Sequence, residues 1–102
     1  MNIDLIRVKV LAGEWDLSHH AHKERQAEKI TLDEIKHALL KGDIIERYSK
    51  DPRGSSCLLC TETVHVVCGM RESKLLVVTN YRPQPPVWKD YKTRTKELKS
   101  RG

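Results

Sequence analysis

Apolar and polar positions along the chain predict helices in its first half and strands in its second. The clearest segment follows Ile30, where Thr31 and Glu34 stand at the spacing of a capping box and Gly42 supplies a C-terminal stop. Apolar residues between them recur at helical spacing, so we predict a helix over Leu32–Lys41.

Two further segments lie upstream. Ser18 is a good N-cap, and residues 19–28 are rich in Ala, Glu, Gln, Lys and Arg, which are strong helix formers. Residues 2–12 fit two assignments. Their alternation is typical of a strand, whereas a stripe that ends at Val10 is typical of a helix that Gly13 would end.

Strands are predicted in the second half of the chain, where turn residues separate apolar runs. The continuous run over 75–78 is typical of a central strand buried on both faces. The segment 51–54 is a turn by composition. The predicted strands cover residues 44–48, 57–61, 64–68 and 74–81.

Helices that precede strands indicate an α+β fold. We predict a single domain over 1–102, with a compact core over about 2–90 and a basic C-terminal tail over 91–102.

Cysteines lie at both ends of the predicted hairpin. If the two residues after Thr61 form the turn, Cys57 faces Cys68 and Cys60 faces His65. A spacing of three along a strand places Cys57 and Cys60 on opposite faces, which does not suit a shared metal or a redox pair. A Cys-based metal or redox protein is therefore the least favoured class, and we expect no metal and no cofactor.

Composition narrows the class of partner. The chain has 102 residues, is 32% charged, and carries a formal net charge of +5 with a pI near 9.2. Such a charge favours polyanionic partners, either nucleic acid or an acidic protein. No apolar run reaches the ~20 residues that span a bilayer, and residues 1–9 lack an apolar stretch of signal-peptide length. We therefore expect a cytoplasmic protein without a membrane partner.

Histidines and the end of the last strand supply the candidate chemistry. His20 lies near a helix start, whose dipole favours the neutral imidazole that a general base needs. His65 alternates with valines on its strand and is expected to face a cleft or solvent. Tyr81 and Arg82 end the last strand, where Tyr81 can stack on a base and Arg82 can pair with phosphate.

The basic residues from Lys89 to the C-terminus are candidate nucleic-acid contacts. These cations are interleaved with Trp88 and Tyr91, a combination that suits single-stranded nucleic acid. We assign binding roles there to Lys89, Lys92, Arg94 and Lys96.

Five segments in order resemble the bacterial domain of unknown function 4258. They are S-H-H-A-H-K-E-R at 18–25, I-T-L-D-E-I-K-H-A-L-L-K-G-D-I-I-E-R-Y at 30–48, D-P-R-G-S-S-C-L at 51–58, V-H-V-V-C at 64–68 and T-N-Y-R-P-Q-P-P-V-W at 79–88. Domains of this kind are similar to the RelE and MqsR toxins, whose fold of the barnase–EndoU–colicin–RelE type occurs in metal-independent ribonucleases.

The resemblance implies N-terminal helices packed on a twisted antiparallel sheet, favours a helix over 2–12, and implies a gene neighbour that encodes an antitoxin. In the pattern an arginine usually stands four residues after the histidine that precedes Ala21, which is His20; here Glu24 occupies that place, with Arg25 beside it. We assign Arg25 and Tyr48 to nucleic-acid binding. The pattern positions are His20, Tyr48, His65, Tyr81 and Arg82.

Together these features favour a toxin-like, metal-independent endoribonuclease of a toxin–antitoxin system, with RNA as substrate and an antitoxin as protein partner. His20 or His65 would remove the 2′-hydroxyl proton, and Arg82 would neutralise the phosphate charge. Tyr81 would position or protonate the leaving oxygen. The alternative is a non-catalytic module that holds RNA or an acidic protein on its basic surface.

Overall fold

A computed structural model describes residues 2–49, 54–84 and 92 of the chain. Three helices precede four of the five strands in that part, which confirms the α+β class. In chain order the elements are α1 (Ile3–Leu11), β1 (Trp15–Leu17), α2 (His19–Ala27), α3 (Leu32–Lys41), β2 (Asp43–Tyr48), β3 (Ser56–Cys60), β4 (His65–Arg71) and β5 (Lys74–Tyr81).

The five strands form one sheet in the order β1-β5-β4-β3-β2. Four of them pair antiparallel, as predicted, but β1 adds to β5 in parallel, so the sheet is mixed. The three residues of β1 are too few to show a period of two, and their pairing partner lies some sixty residues away in the sequence. Only the tertiary contact with β5 identifies this strand.

Helices α2 and α3 begin directly after the residues whose side chains cap them. Thr31 and Glu34 form the predicted capping box, and α3 has the predicted bounds. The Ser18 hydroxyl accepts a hydrogen bond from the Ala21 amide at the start of α2. Residues 3–11 form a helix, as the resemblance indicated, because Ile6 and Val10 are buried on one side of it.

Both faces of β3 are buried, whereas the sequence assigned this property to residues 75–78. All five residues of β3 are buried, while β5 alternates between buried and partly exposed positions. Leu75 and Val77 belong to the core beneath the helices, but Leu76 and Val78 are only half-buried. The prediction was wrong because the helices α1 and α2 pack on the face of β5 that carries Leu75 and Val77, and not on the face that carries Leu76 and Val78.

The hairpin between β3 and β4 has the register that a two-residue turn after Thr61 implies. Cys57 pairs with Cys68, and Cys60 pairs with His65. The usual turn for such a hairpin requires positive φ angles, which neither turn residue has. Instead, the Thr61 hydroxyl accepts hydrogen bonds from the Thr63 and Val64 amides at 3.4 and 3.3 Å.

The alternation of β3 separates its two cysteines. Cys57 belongs to the core beneath the helices, whereas Cys60 lies on the other face and outside that core. A hydrogen bond with Cys57, together with burial, raises the pKa of the Cys68 thiol well above its ordinary value. Burial also raises the pKa of Cys60. The thiols of Cys60 and Cys68 are therefore neutral at pH 7.

A β-bulge near the end of β5 changes the direction of its last residues. Val67 pairs with Thr79 and Cys68 pairs with Val77, so Val78 has no partner across the pair. Bulges re-aim neighbouring side chains and amides. Here the bulge brings Thr79 and the amide of the next residue against α2.

Replacing Thr31 by Ala should lower the free energy of unfolding by about 1 kcal/mol, because the amide at the third position of α3 loses its acceptor. Denaturant titration measures this loss. The Thr31→Ser variant keeps the hydroxyl and should retain most of the stability. Equal losses in both variants would show that the methyl group, not the cap, matters.

Candidate functional site

Arg82 holds together the ends of several elements. Its Nε–H donates to the Glu28 carbonyl, and its Nη2 donates to the Lys29 carbonyl, at 3.2 and 2.9 Å. Its Nη1 donates at 3.0 Å to the Thr63 carbonyl in the β3–β4 turn. The carboxylate of Glu34 accepts from both Nη atoms, at 3.0 and 3.2 Å. All five N–H donors of a guanidinium are accounted for by these contacts.

These contacts bear on the predicted phosphate role of Arg82. A phosphate could bind only by replacing Glu34 or the backbone carbonyls that the guanidinium already holds. The side chain would then release the C-terminal end of α2 and the start of α3. The position of Arg82 therefore fits a clamp between elements rather than a ready phosphate contact.

Glu34 takes part in two interactions at once. One carboxylate oxygen accepts from the Thr31 amide at 3.2 Å and completes the capping box. The Arg82 guanidinium beside it lowers the pKa of Glu34, and the carboxylate in turn raises the pKa of Arg82. The ion pair is about 30% exposed on each side, so solvent screens part of its attraction.

His65, which is buried, and Tyr81, which is partly exposed, contact each other on the sheet face opposite the helices. The Asn80 side chain donates to the Ala21 carbonyl of α2 at 3.0 Å, so Asn80 lies on the helix side. Tyr81 and its cross-strand partner His65 come one residue further along and lie on the other side. His65 Nδ1 is 3.4 Å from the Tyr81 hydroxyl, and the ring centroids are 5.3 Å apart.

The expectation that His65 faces a cleft or solvent is wrong, because its side chain is fully buried. The sequence pattern assumed that only the face carrying the valines is covered. Leu58 and Cys60 on the same outer face are also buried, so both faces are covered at this point of the sheet. A substrate has no direct approach to this imidazole.

His20 is the exposed histidine that a carboxylate holds. Its Nε2 lies 3.3 Å from Oε2 of Glu24, one turn later on α2, and its side chain is 71% exposed. The other oxygen of Glu24 accepts from the Thr79 hydroxyl and, at 3.1 Å, from the Asn80 amide. Two donors on β5 thus fix the carboxylate that faces the imidazole.

Glu24 is the residue of this site that sequence reasoning missed. In the sequence, Glu24 stands out only because the family pattern usually has arginine at that position. The signal that could have found it is the spacing of four between His20 and Glu24, which places them together on a helix surface. Its contacts with β5 depend on the bulge and could not be predicted.

The remaining predicted residues are dispersed. Arg25 on α2 contacts His22 and the Ile30 carbonyl, and the Tyr48 hydroxyl donates to Glu46 on β2. Lys92 lies 3.2 Å from the carboxylate of Asp43 at the start of β2. The predicted contacts Lys89, Arg94 and Lys96 lie outside the described residues.

The predicted catalytic residues therefore occupy separate environments. His20 is on α2, His65 and Tyr81 are on the outer sheet face, and Arg82 lies between α2, α3 and the hairpin turn. No group of three or more His, Cys, Asp or Glu side chains within residues 2–49, 54–84 and 92 could hold a metal ion. In the same part of the chain, no helix is long and apolar enough to cross a membrane.

Comparison with known proteins identifies the family. The model of the domain of unknown function DUF4258 matches residues 17–82. The chain belongs to this family. No curated protein and no solved structure matches the chain. The DUF4258 match begins at the end of β1 and finishes at Arg82, so it spans both the His20–Glu24 pair and the Arg82 clamp.

The Arg82–Glu34 pair should make stability depend on pH. Because the folded-state pKa of Glu34 lies below its ordinary value of 4.5, the stabilisation is present above pH 4.5 and is lost as pH falls through the folded-state pKa. The Glu34→Gln variant should unfold more easily at pH 7 and lose less stability on acidification than the wild type. Thermal unfolding at a series of pH values measures both effects.

Asp33→Asn is the matched control, since it removes a carboxylate from the same first turn of α3 without touching the clamp. Its acid sensitivity should follow that of the wild type. A parallel change in both variants would mean that the helix dipole, and not Arg82, accounts for the effect.

Proposed function

We propose that this protein is a toxin-like, metal-independent endoribonuclease in which His20 is the general base. The observation that carries the proposal is an exposed imidazole whose Nε2 faces a carboxylate fixed by two donors. A fixed carboxylate orients an imidazole and stabilises it when it takes up a proton. An exposed position allows a large polymer to approach.

In the proposed reaction the ribose 2′-oxygen attacks the adjacent phosphorus, and the bond to the 5′-oxygen of the next nucleotide breaks. The proton of the 2′-hydroxyl passes to the imidazole of His20, and Glu24 stabilises the resulting cation. A proton from water or from an imidazolium neutralises the departing 5′-oxygen. The products are a 2′,3′-cyclic phosphate and a 5′-hydroxyl.

Charge that develops on the phosphate needs donors close to His20. The first amides of α2, at His19 and His20, have no acceptor within the described protein, and helix starts favour anions. Lys23 lies three residues after His20, on the same side of the helix, and is exposed. These groups take the role that the sequence gave to Arg82.

The second candidate function is RNA binding without cleavage. It is favoured by the full use of the Arg82 donors and by the burial of His65, which remove two predicted catalytic groups from contact with a substrate. The chain would then use its net charge of +5 to hold RNA electrostatically. In either case an antitoxin encoded beside the gene is the proposed protein partner.

His20→Ala should slow RNA cleavage about 10²- to 10⁴-fold, the usual contribution of general acid–base catalysis. Purified protein is incubated with total RNA in EDTA, and new 5′-hydroxyl ends are counted. Glu24→Gln keeps an oxygen for Thr79 and Asn80 but removes the charge beside His20, so it should give a smaller loss.

His19→Ala is the matched control, because His19 is exposed on the same helix turn and forms no ion pair with a carboxylate among the described residues. It should cleave RNA like the wild type. Equal cleavage by His20→Ala and the wild type would refute the proposed base. Intact RNA with every variant, after a sizing column has excluded a co-purified inhibitor, would favour the binding module.

A further inference from the structure

Two of the three cysteines lie directly opposite each other across the β3–β4 hairpin. Cys57 of β3 pairs with Cys68 of β4, and both belong to the core beneath the helices. Both side chains are fully buried, and neither cysteine is part of a disulfide. Their thiols share a hydrogen bond. The two sulfur atoms are therefore neighbours inside the fold.

The backbone spacing of this pair suits a covalent bond between the two sulfurs. Directly opposed residues of antiparallel strands have Cα atoms about 4.5–5.5 Å apart, and disulfides span about 4.4–6.8 Å between Cα atoms. The Cβ atoms of such pairs lie about 4.5–5.5 Å apart, whereas disulfides need about 3.5–4.5 Å, so an approach of about 1 Å closes the difference. Cys60 has no such partner, because it lies on the other face of β3 and pairs with His65.

Cys57 is the better nucleophile of the pair. The hydrogen bond from the Cys68 thiol lowers the pKa of Cys57, although burial opposes this effect. Arg47, the partner of Cys57 on β2, adds a positive charge that also favours the thiolate. The same hydrogen bond, together with burial, raises the pKa of Cys68. Cys57 thus fits the thiol that attacks an oxidant, and Cys68 fits the thiol that resolves the product.

We propose that Cys57 and Cys68 form a reversible disulfide when the folded protein meets a hydroperoxide such as hydrogen peroxide. The Cys57 sulfur attacks one peroxide oxygen, the O–O bond breaks, and the departing hydroxide takes up the proton that Cys57 released. The Cys68 sulfur then attacks the sulfenic acid, the S–O bond breaks, and the second hydroxide leaves with the Cys68 proton. Two thiols and one peroxide thus give one disulfide and two waters.

The oxidant must be small because both thiols are buried. Cys57 is the second residue of β3, and Gly54 and Ser55, which precede the strand, are exposed. The path from solvent to the first thiol is therefore short at this end of the strand. A dithiol such as dithiothreitol reverses the reaction by thiol–disulfide exchange and is itself oxidised to a disulfide.

The bond would lie next to the bulge of β5. Cys68 is one of the two β4 residues that flank this bulge, and the other, Val67, pairs with Thr79. A covalent link at Cys68 fixes the strand register at the step where Thr79 is brought against α2. The pair is therefore a redox-sensitive lock in the sheet, and the inference does not depend on the proposed function.

The first test locates the thiols after the folded chain has been treated with hydrogen peroxide. Free thiols are blocked with N-ethylmaleimide in denaturant, and the chain is cut at Arg53, Glu62 and Arg71 by proteases specific for arginine and glutamate. These cuts place Cys57 and Cys60 in one peptide and Cys68 in the next. Mass spectrometry should find the two peptides joined by a disulfide, with the maleimide on Cys60.

Several outcomes of this test would overturn the proposal. One is three free thiols after a peroxide treatment that oxidises dithiothreitol completely. The others are a bond that includes Cys60, a bond between two chains, and a bond that forms only in denaturant. Each of them contradicts oxidation of the paired thiols within the folded hairpin.

Cys60→Ser is the matched control, since it removes the thiol on the other face and keeps the pair. Once peroxide has been removed, its oxidised form should melt on the order of 10 °C higher than its reduced form, because the bond closes a loop in the unfolded chain. Cys68→Ser should form no disulfide within the chain and show no such shift. An unchanged or lower melting temperature of oxidised Cys60→Ser would mean that the native sheet does not accommodate the bond.

Discussion

The Arg82–Glu34 interaction is the constraint on which the arrangement of the other elements depends. It lies where the end of β5, the end of α2, the start of α3 and the β3–β4 turn meet. The last carbonyls of α2 and the carboxylate of the capping box would otherwise rely on water. One side chain thus connects the end of β5 and the β3–β4 turn with the junction between α2 and α3, which is some thirty residues or more away in the sequence.

The clamp also accounts for an uncommon backbone conformation. Lys29, just after α2, has φ 58, which costs an L-residue roughly 1–2 kcal/mol. Its carbonyl accepts from Arg82 at 2.9 Å, and its amide donates to the Gln26 carbonyl at 3.3 Å. These bonds hold the chain in the reversal that sends it from α2 into α3. The position of α2, and hence of His20, follows from that reversal.

Arginine and histidine side chains in this protein divide into structural and available groups. Arg82 and His65 are held inside the fold by hydrogen bonds and burial, whereas the imidazole of His20 is mostly exposed and open to a ligand. The difference does not follow from residue type. It depends on whether backbone carbonyls or a carboxylate already accept the hydrogen bonds of the side chain, and on whether neighbouring strands bury it. We therefore expect ligand binding or catalysis at side chains whose hydrogen-bond donors and acceptors are not all engaged within the protein.

The sequence by itself determined the local features. Caps at Ser18 and Thr31, the helix over Leu32–Lys41 and the strand over Lys74–Tyr81 follow from short-range hydrogen bonding and periodicity, and the structure has them where they were predicted. The sequence implied the register of the Cys57–Cys68 pair only on the condition of a two-residue turn, and the structure has that turn.

Only the tertiary structure decided which of the candidate residues can meet a ligand. The parallel addition of β1, the burial of His65 and the five contacts of Arg82 all depend on segments distant in sequence, which periodicity does not encode. The position of Glu24 depends in the same way on a bulge in β5. The type of each residue determines which reactions or contacts its side chain can make. Packing between segments distant in the sequence determines whether a ligand can reach that side chain.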